Sequence, residues 1–346
     1  MIERLKRLDP LIVLILCAVA IAIAFPARGS FADSFDVLTN IAIALLFFLY
    51  GARLSTREAI NGIKHWKLHL TILAFTFVVY PIIGLALRPL TAFIPNDLYL
   101  GILYLTLVPS TVQSSVAFTS IARGNVPGAI VSASASNLAG VLLTPLLVMA
   151  LMGAGDGIHI DSSVFFEISV LLLLPFVLGQ LTRKWVGKLA ASKATKVVDR
   201  GSIAMVVYAA FSKGMVDGIW ASISVWQILF QIAFSAALVF FMLWLTKVVS
   251  QKLGFDREDT IAIQFCGSKK SLATGLPMAS VIFASGGTSL GLLILPLMIY
   301  HQVQLMICAS MAARYAPGRV RAHEKALCSH HHDHPGGRHR HTHRGA

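Results

Sequence analysis

Ten apolar runs dominate the chain, over residues 10–25, 34–52, 68–88, 97–122, 126–152, 163–182, 200–220, 224–248, 258–284 and 288–313. Each approaches the roughly 17 to 25 residues that a helix needs to cross about 30 Å of hydrocarbon. In lipid a helix satisfies its own backbone N–H and C=O groups, which leaves such runs few alternatives. The sequence therefore predicts an all-α polytopic membrane protein with ten transmembrane helices. Composition agrees, since 56% of the 346 residues are hydrophobic and only 13% are charged, an apolar excess that a soluble core does not require. The first run is short and follows a basic stretch, as a secretory signal would, but Phe25-Pro26-Ala27-Arg28 makes a poor cleavage site, so it is read as a span.

Basic residues alternate between successive connections. Arg4, Lys6 and Arg7 precede the first run, Arg53, Arg57, Lys64 and Lys67 follow the second, and Arg183, Lys184, Lys188, Lys193, Lys196 and Arg200 follow the sixth. Lys247, Lys252 and Arg257 follow the eighth, and the tail after Arg314 is strongly basic, whereas the opposite connections hold only Arg28, Arg88 and Lys213. By the positive-inside rule both termini are cytoplasmic, as an even number of spans demands. The formal charge of +13 is thus a topology signal, and nucleic acid is excluded as a partner in favour of the lipid bilayer. Cys17, Cys266, Cys308 and Cys328 form no CxxC pair and read as small hydrophobes rather than disulfides or a zinc knuckle.

The pattern repeats after five runs. Run two ends FFLYGARLS and run seven AAFSKGMVD; run five carries LLTPLL around Pro145 and run ten LILPLM around Pro296. Five being odd, the second half enters the membrane from the opposite side, which is an inverted repeat. The boundaries are a cytoplasmic N-terminus 1–9, a first five-helix repeat 10–152, an external connection 153–162, a second repeat 163–313 and a His-rich cytoplasmic tail 314–346. Runs four and nine are both interrupted halfway along, at Pro109-Ser110-Thr111-Val112-Gln113-Ser114-Ser115 and at Gly267-Ser268-Lys269-Lys270-Ser271. Paired breaks near the midplane are where such proteins bind their substrates, because bare backbone there must be buried in protein or line a wet cavity.

No Asp or Glu lies between Leu98 and Met152, or between Thr260 and Pro317. Lys269 and Lys270 therefore sit among apolar residues without a carboxylate, and a mid-helix lysine costs about 2.5 to 3.5 kcal/mol on insertion scales. Each needs a partner or a lost proton. The partners open to them are carbonyls freed at the negative end of the first half-helix, water, or an anionic substrate. The candidate binding set is Ser110, Thr111, Gln113, Ser114, Ser115, Asn137, Gln264, Ser268, Lys269, Lys270 and Ser271, with the helix breaks at Pro109 and Gly267. Ser132, Ser134 and Ser136 extend a polar stripe that equally serves close helix packing. No HExxH or GxSxG occurs, so an enzyme is not expected. His65, His69 and His301 read as isolated edge or loop residues. The tail from Pro317 is different in kind: His330, His331, His332 and His334 are the densest part of a Pro/Gly-containing, basic stretch that cannot pack a core and could hold a divalent metal weakly.

Ten spans in inverted halves, P-S-T-V-Q-S-S in run four, LLTPLL in run five and I-A-I-Q in run nine make residues 8 to 315 resemble the bile acid:sodium symporter family. The likeness is to the bacterial branch whose animal relative is the seventh member of that solute-carrier family. The resemblance implies a panel domain (spans one, two, six and seven), a core domain (three to five, eight to ten) with helices four and nine crossing at the midplane, and sodium-driven transport of an organic anion. By position, the family's sodium ligands fall on Thr76, Ser114, Ser115, Ala129, Ala133, Gln264, Ser268 and Lys269. An amide replaces the acid, two hydroxyls become methyls and an ammonium is added, so Lys269 is read as standing in for the ion, with Na+ or H+ as the coupling ion and no cofactor.

The expected function is secondary transport of a small organic anion by alternating access, in a bacterial inner membrane. The alternatives are a regulatory or sensory membrane protein that binds its ligand without net flux, and a channel.

Overall fold

The computed structural model describes residues 10–53, 65–153, 169–284 and 289–315; the His-rich tail lies outside them. Among the described residues the chain is helical, with no strand. In order the helices are α1 (Pro10–Ala24), α2 (Gly29–Arg53), α3 (Trp66–Ala74), α4 (Tyr80–Ala86), α5 (Asn96–Leu107), α6 (Gln113–Ile121) and α7 (Val126–Met152). Then follow α8 (Leu174–Leu181), α9 (Arg183–Ala190), α10 (Thr195–Val216), α11 (Val225–Lys252), α12 (Arg257–Gly267), α13 (Leu272–Ile282) and α14 (Leu290–Tyr315).

Five helical stretches are by themselves long and apolar enough to cross a membrane: Gly29–Arg53, Trp66–Ala92, Val126–Met152, Val225–Lys252 and Leu290–Tyr315. A sixth is formed if Val170–Leu181 and Arg183–Ala190, bent by 104°, are taken together. Outward-facing Leu16, Ile41, Trp185, Trp226, Phe240 and Met306 are largely exposed, a surface that water would not tolerate and hydrocarbon does. The molecule is a multi-pass membrane protein.

Local chemistry sets the helix boundaries. Asn125 caps α7 by accepting from the Gly128 N–H, Ser224 and Gln227 form a reciprocal capping box at α11, and Asp256 caps α12 through the Asp259 N–H. Two π turns, Phe75–Val79 and Ser169–Leu173, lie directly ahead of Pro81 and Pro175. A proline has no N–H for the carbonyl four residues back and its ring crowds that carbonyl, so the helix widens there to stay continuous.

The helices pack in two groups. In one, α2 lies along α8 and α9, and α10 lies along α1 and α2. In the other, α14 packs on α5 and α11, α12 packs on α6, α7 and α11, and α3 on α7. Contacts of α10 with α13 and α14 join the groups. Breaks within the second group, between α5 and α6 and between α12 and α13, create the site.

Candidate functional site

A helix ends at Leu107 because Pro109 follows. The residue before a proline is pushed out of the helical region, and Val108 is extended (φ −77°, ψ 156°). Gly140 on α7 makes room for the proline ring, since a Cβ there would come within 2.7 Å of Pro109 Cβ. The break frees carbonyls that the helix would have used, and those of residues 106 to 110 find donors. Lys270 Nζ donates to Thr106 O at 2.8 Å and to Val108 O at 2.9 Å, Thr144 Oγ1 donates to Leu107 O at 2.8 Å, Ser271 N–H donates to Pro109 O at 2.8 Å, and Asn137 Nδ2 donates to Ser110 O at 2.9 Å.

The second break answers the first. At the end of α12, Ser115 Oγ donates to Phe265 O (3.0 Å), Ser110 Oγ to Cys266 O (2.5 Å), and the hydroxyls of Tyr80 and Tyr300 both donate to Ser268 O (2.5 and 2.9 Å). Ser271 then opens α13, its side chain accepting from the Thr274 N–H. Asn137 ties the breaks together by accepting from Thr274 Oγ1 at 2.7 Å while it donates to Ser110 O.

The adjacent lysines diverge. Both are 0% exposed. Lys270 Nζ makes a third bond to Thr76 O, in the π turn after α3, at 2.9 Å, and lies 4.1 Å from the Tyr80 ring centroid. Among the described residues Lys269 Nζ has no hydrogen-bond partner; it rests 3.9 Å from the Phe118 ring centroid and 5.6 Å from that of Phe265, a cation–π setting.

A cavity of about 320 Å³ lies between the two helix groups. One wall carries Thr111, Gln113, Ser114, Asn137, Ser271 and Thr274, from the two breaks and α7; the other carries Tyr50, Arg53, Phe176, Lys196, Asp199 and Arg200, from α2, α8 and α10. Arg53 Nη1 pairs with Asp199 Oδ2 at 2.6 Å and Arg53 Nε donates to Ala190 O at 2.6 Å. Three cations against one carboxylate leave this wall a surplus of two positive charges. The N-termini of α6 and α13, positive ends of their dipoles, reach the same cavity at Gln113 and beside Ser271.

The expected site residues therefore separate. Thr111, Gln113, Ser114, Asn137 and Ser271 line the cavity. Ser110, Ser115, Ser268, Lys269 and Lys270 are buried in the crossing itself, and Gln264 is held behind it by bonds to Leu243 O and Tyr315 Oη. Of the cation roles, it is Lys270, rather than Lys269, that takes the carbonyls. His301 is not an edge residue: α14 carries it past the second break, where it is buried, faces Lys270 O at 3.5 Å and lines the cavity. His69 lies 2.6 Å from Ser132 Oγ, linking α3 to α7. Arg53, Lys196, Asp199, Arg200 and Thr274 were not among the sequence candidates; the signal for three of them was the basic residue count, read as topology. Among the described residues no group of three His, Cys, Asp or Glu could hold a metal, and His330, His331, His332 and His334 lie outside those residues.

The family model of the SBF-like CPA transporter family matches residues 9–317. The chain belongs to that family. Similar to this SBF-like chain is "Uncharacterized protein PA2026" of Pseudomonas aeruginosa, 48% identical over 309 residues, 88% of this chain and 92% of the relative. "Putative symporter YfeH" of Escherichia coli K12 is 44% identical over 318 residues, 90% and 93% of the two chains. "Sodium/bile acid cotransporter 7" of Xenopus tropicalis is 30% identical over 318 residues, 89% and 91%. The SBF-like chain is thus a multi-pass membrane protein of a transporter family, and its cavity and broken helices are to be understood in that setting.

Proposed function

We propose that this chain is a secondary active transporter of a small organic anion. The observation that carries the reading is the cavity, whose two walls come from helix groups packed largely among themselves and whose charge is unbalanced in favour of cations. A concave site with a few convergent polar groups in an otherwise apolar lining is the usual form of a ligand pocket, and an uncompensated positive wall concentrates anions. Half-helix N-termini aimed at the same space supply further stabilisation for negative charge without a buried cation of their own. At about 320 Å³ the space stands near the lower end of the 300 to 1,000 Å³ range of ligand sites, so the substrate is compact, with an anionic group toward Arg53, Lys196 and Arg200 and hydrogen-bonding groups toward Asn137, Ser114 and Thr274.

In this reading the described helices belong to ten spans arranged as two inverted five-helix repeats. The group of α1, α2, α8 and α10 is the panel, and the group holding the breaks is the core. Rocking the core against the panel exposes the cavity to either side of a bacterial inner membrane. Both termini lie in the cytoplasm. The basic residues of the cavity wall then sit at its cytoplasmic end, where an anion entering from inside meets them first.

Purified protein reconstituted in vesicles tests the proposal directly. Saturable uptake of a small organic anion, competed by related anions and lost when Arg53 and Arg200 are both changed to Gln, is the expected result. Binding without uptake would support a sensor instead, and flux that does not saturate would support a channel.

A further inference from the structure

The helix crossing bears on the choice of coupling ion, a question that rests on the transport reading proposed above. In membrane transporters with broken helices, an alkali cation is held by unwound carbonyls and by the C-terminal ends of half-helices. Here both of those ends are present, and at each of them several carbonyls already accept from the protein's own donors. At the end of α5, carbonyls 106 to 110 are all engaged, two of them with Lys270 Nζ. At the end of α12, carbonyls of Phe265, Cys266 and Ser268 accept from Ser115, Ser110, Tyr80 and Tyr300.

Charge decides the matter as strongly as geometry. A bound alkali ion would add a second positive charge beside Lys270, whose three donated hydrogen bonds require an ammonium, and among the described residues neither lysine contacts a carboxylate. Two like charges a few ångströms apart repel by several kcal/mol even at an effective dielectric constant of about 20. The ammonium of Lys270, by contrast, has three carbonyl oxygens at 2.8 to 2.9 Å, drawn from the π turn after α3 and from the end of α5. It neutralises the negative end of a half-helix, and its backbone is anchored in turn: its N–H donates to Gln304 Oε1 at 2.9 Å and its carbonyl accepts from Gln304 Nε2 at 2.8 Å.

We propose that Lys270 is a tethered cation that permanently fills the carbonyl cluster at the crossing of the broken helices, so that no sodium ion binds there and anion transport by this chain does not require sodium. The residues present do not fit a sodium site at this crossing, and the sodium in the name of the more distant cotransporter 7 relative does not carry over to it. A chain with a covalently attached charge gains a fixed, rather than an exchangeable, partner for the helix ends.

The full chain, purified in nanodiscs, provides the test. Equilibrium binding of radioactive sodium is measured on the wild type, and melting temperatures are compared in sodium, potassium and N-methylglucamine chloride at equal ionic strength. The wild type is expected to bind no sodium and to melt at one temperature in all three. Lys270→Ala, which leaves the carbonyls without their cation, is expected to melt lower in N-methylglucamine and to recover progressively as sodium or potassium is raised, because a ligand of the folded state raises apparent stability. Lys270→Met, which refills the space with an apolar chain, is expected to show no such recovery. Saturable sodium binding to the wild type, or a folded Lys270→Ala protein indifferent to the cation, overturns the proposal. Should Lys270→Ala not fold in any salt, wild-type sodium binding decides alone, its absence in support and its presence against. Anion uptake that requires sodium would overturn this inference and leave transport standing. No uptake in any salt, with no sodium bound, would remove the transport reading and leave the tethered cation.

Discussion

The backbone N–H of Ser271 donates to the carbonyl of Pro109 at 2.8 Å, joining residues from the two helix breaks across 162 positions of sequence. This bond is made by the first residue after the paired lysines and by the residue that ends the first half-helix, so it fixes how the breaks meet. The Ser271 side chain has a separate task, capping α13 through the Thr274 N–H at 3.2 Å. The two tasks can be separated by substitution. Ser271→Ala keeps the backbone bond and loses the cap, an expected cost of about 1 kcal/mol. Ser271→Pro also removes the N–H and strands the buried Pro109 carbonyl, adding roughly 1 to 3 kcal/mol. Thermal melts of the two purified variants check the order, and equal losses would show that the inter-break bond contributes nothing.

Asn137 bridges the same breaks with its two amide atoms, which makes its identity strict. Asn137→Asp keeps an acceptor for Thr274 but offers none of the donation that Ser110 O now receives, and it places a carboxylate on the cavity wall. Asn137→Ala loses both bonds without adding charge. Both variants are expected to be less stable by about 1 to 3 kcal/mol, and only Asp is expected to abolish the melting-temperature rise produced by a bound anion. If Ala and Asp suppress that rise equally, the loss belongs to the geometry of the wall and not to its charge.

Much of this arrangement was legible in the sequence, for particular reasons. Pro109 dictates its break by covalent geometry, and a lysine pair in a run without acids has to be explained wherever the chain places it. What was not legible was which lysine does what. Lys269 and Lys270 are neighbours in a non-helical segment, so their side chains leave in different directions set by backbone angles that no periodicity encodes; the carbonyls, with the Tyr80 ring, went to Lys270, and the Phe118 and Phe265 rings to Lys269. The cavity's cationic wall was hidden for another reason. Arg53, Lys196 and Arg200 satisfy the positive-inside pattern by their position alone, and the same charge can orient a helix and attract a ligand. The partnership of Arg53 with Asp199, 146 residues away, has no local signature.

That ion pair supports a prediction about charge. Its side chains are 24% and 15% exposed, so solvent screens it in part and its net worth to stability is modest. Its effect on the cavity is larger, because Asp199 cancels one of the three cations. Asp199→Asn is expected to tighten anion binding, by about tenfold if the change amounts to 1.4 kcal/mol, and to make it more sensitive to salt. Arg53→Gln is expected to weaken binding. Titration of the melting temperature with a transported anion at low and high ionic strength measures both, and weaker binding in Asp199→Asn would mean that the pair positions Arg53 rather than masking it.

Helices α2 and α8 owe their close packing to two glycines that face each other's helices. A Cβ on Gly51 of α2 would strike the carbonyl oxygen of Phe176 on α8, and a Cβ on Gly179 of α8 would strike the carbonyl oxygen of Phe48 on α2. Both obstacles are backbone, which cannot swing aside as a side chain would, so the helices would have to separate. Small residues that permit such approach hold helices together in lipid, where no hydrophobic force does so. Alanine improves helix propensity over glycine by about 1 kcal/mol, while overpacking costs typically 1 to 3 kcal/mol and more where backbone must move; the second effect wins at these positions. Gly179→Ala and Gly51→Ala are therefore expected to lower the melting temperature. Gly201, inside α10 with nothing within 4 Å of its would-be Cβ, has only the first effect to feel, so Gly201→Ala is expected to raise it. The three melts form one experiment, and a Gly179→Ala protein as stable as Gly201→Ala would show that α2 and α8 do not meet backbone to backbone.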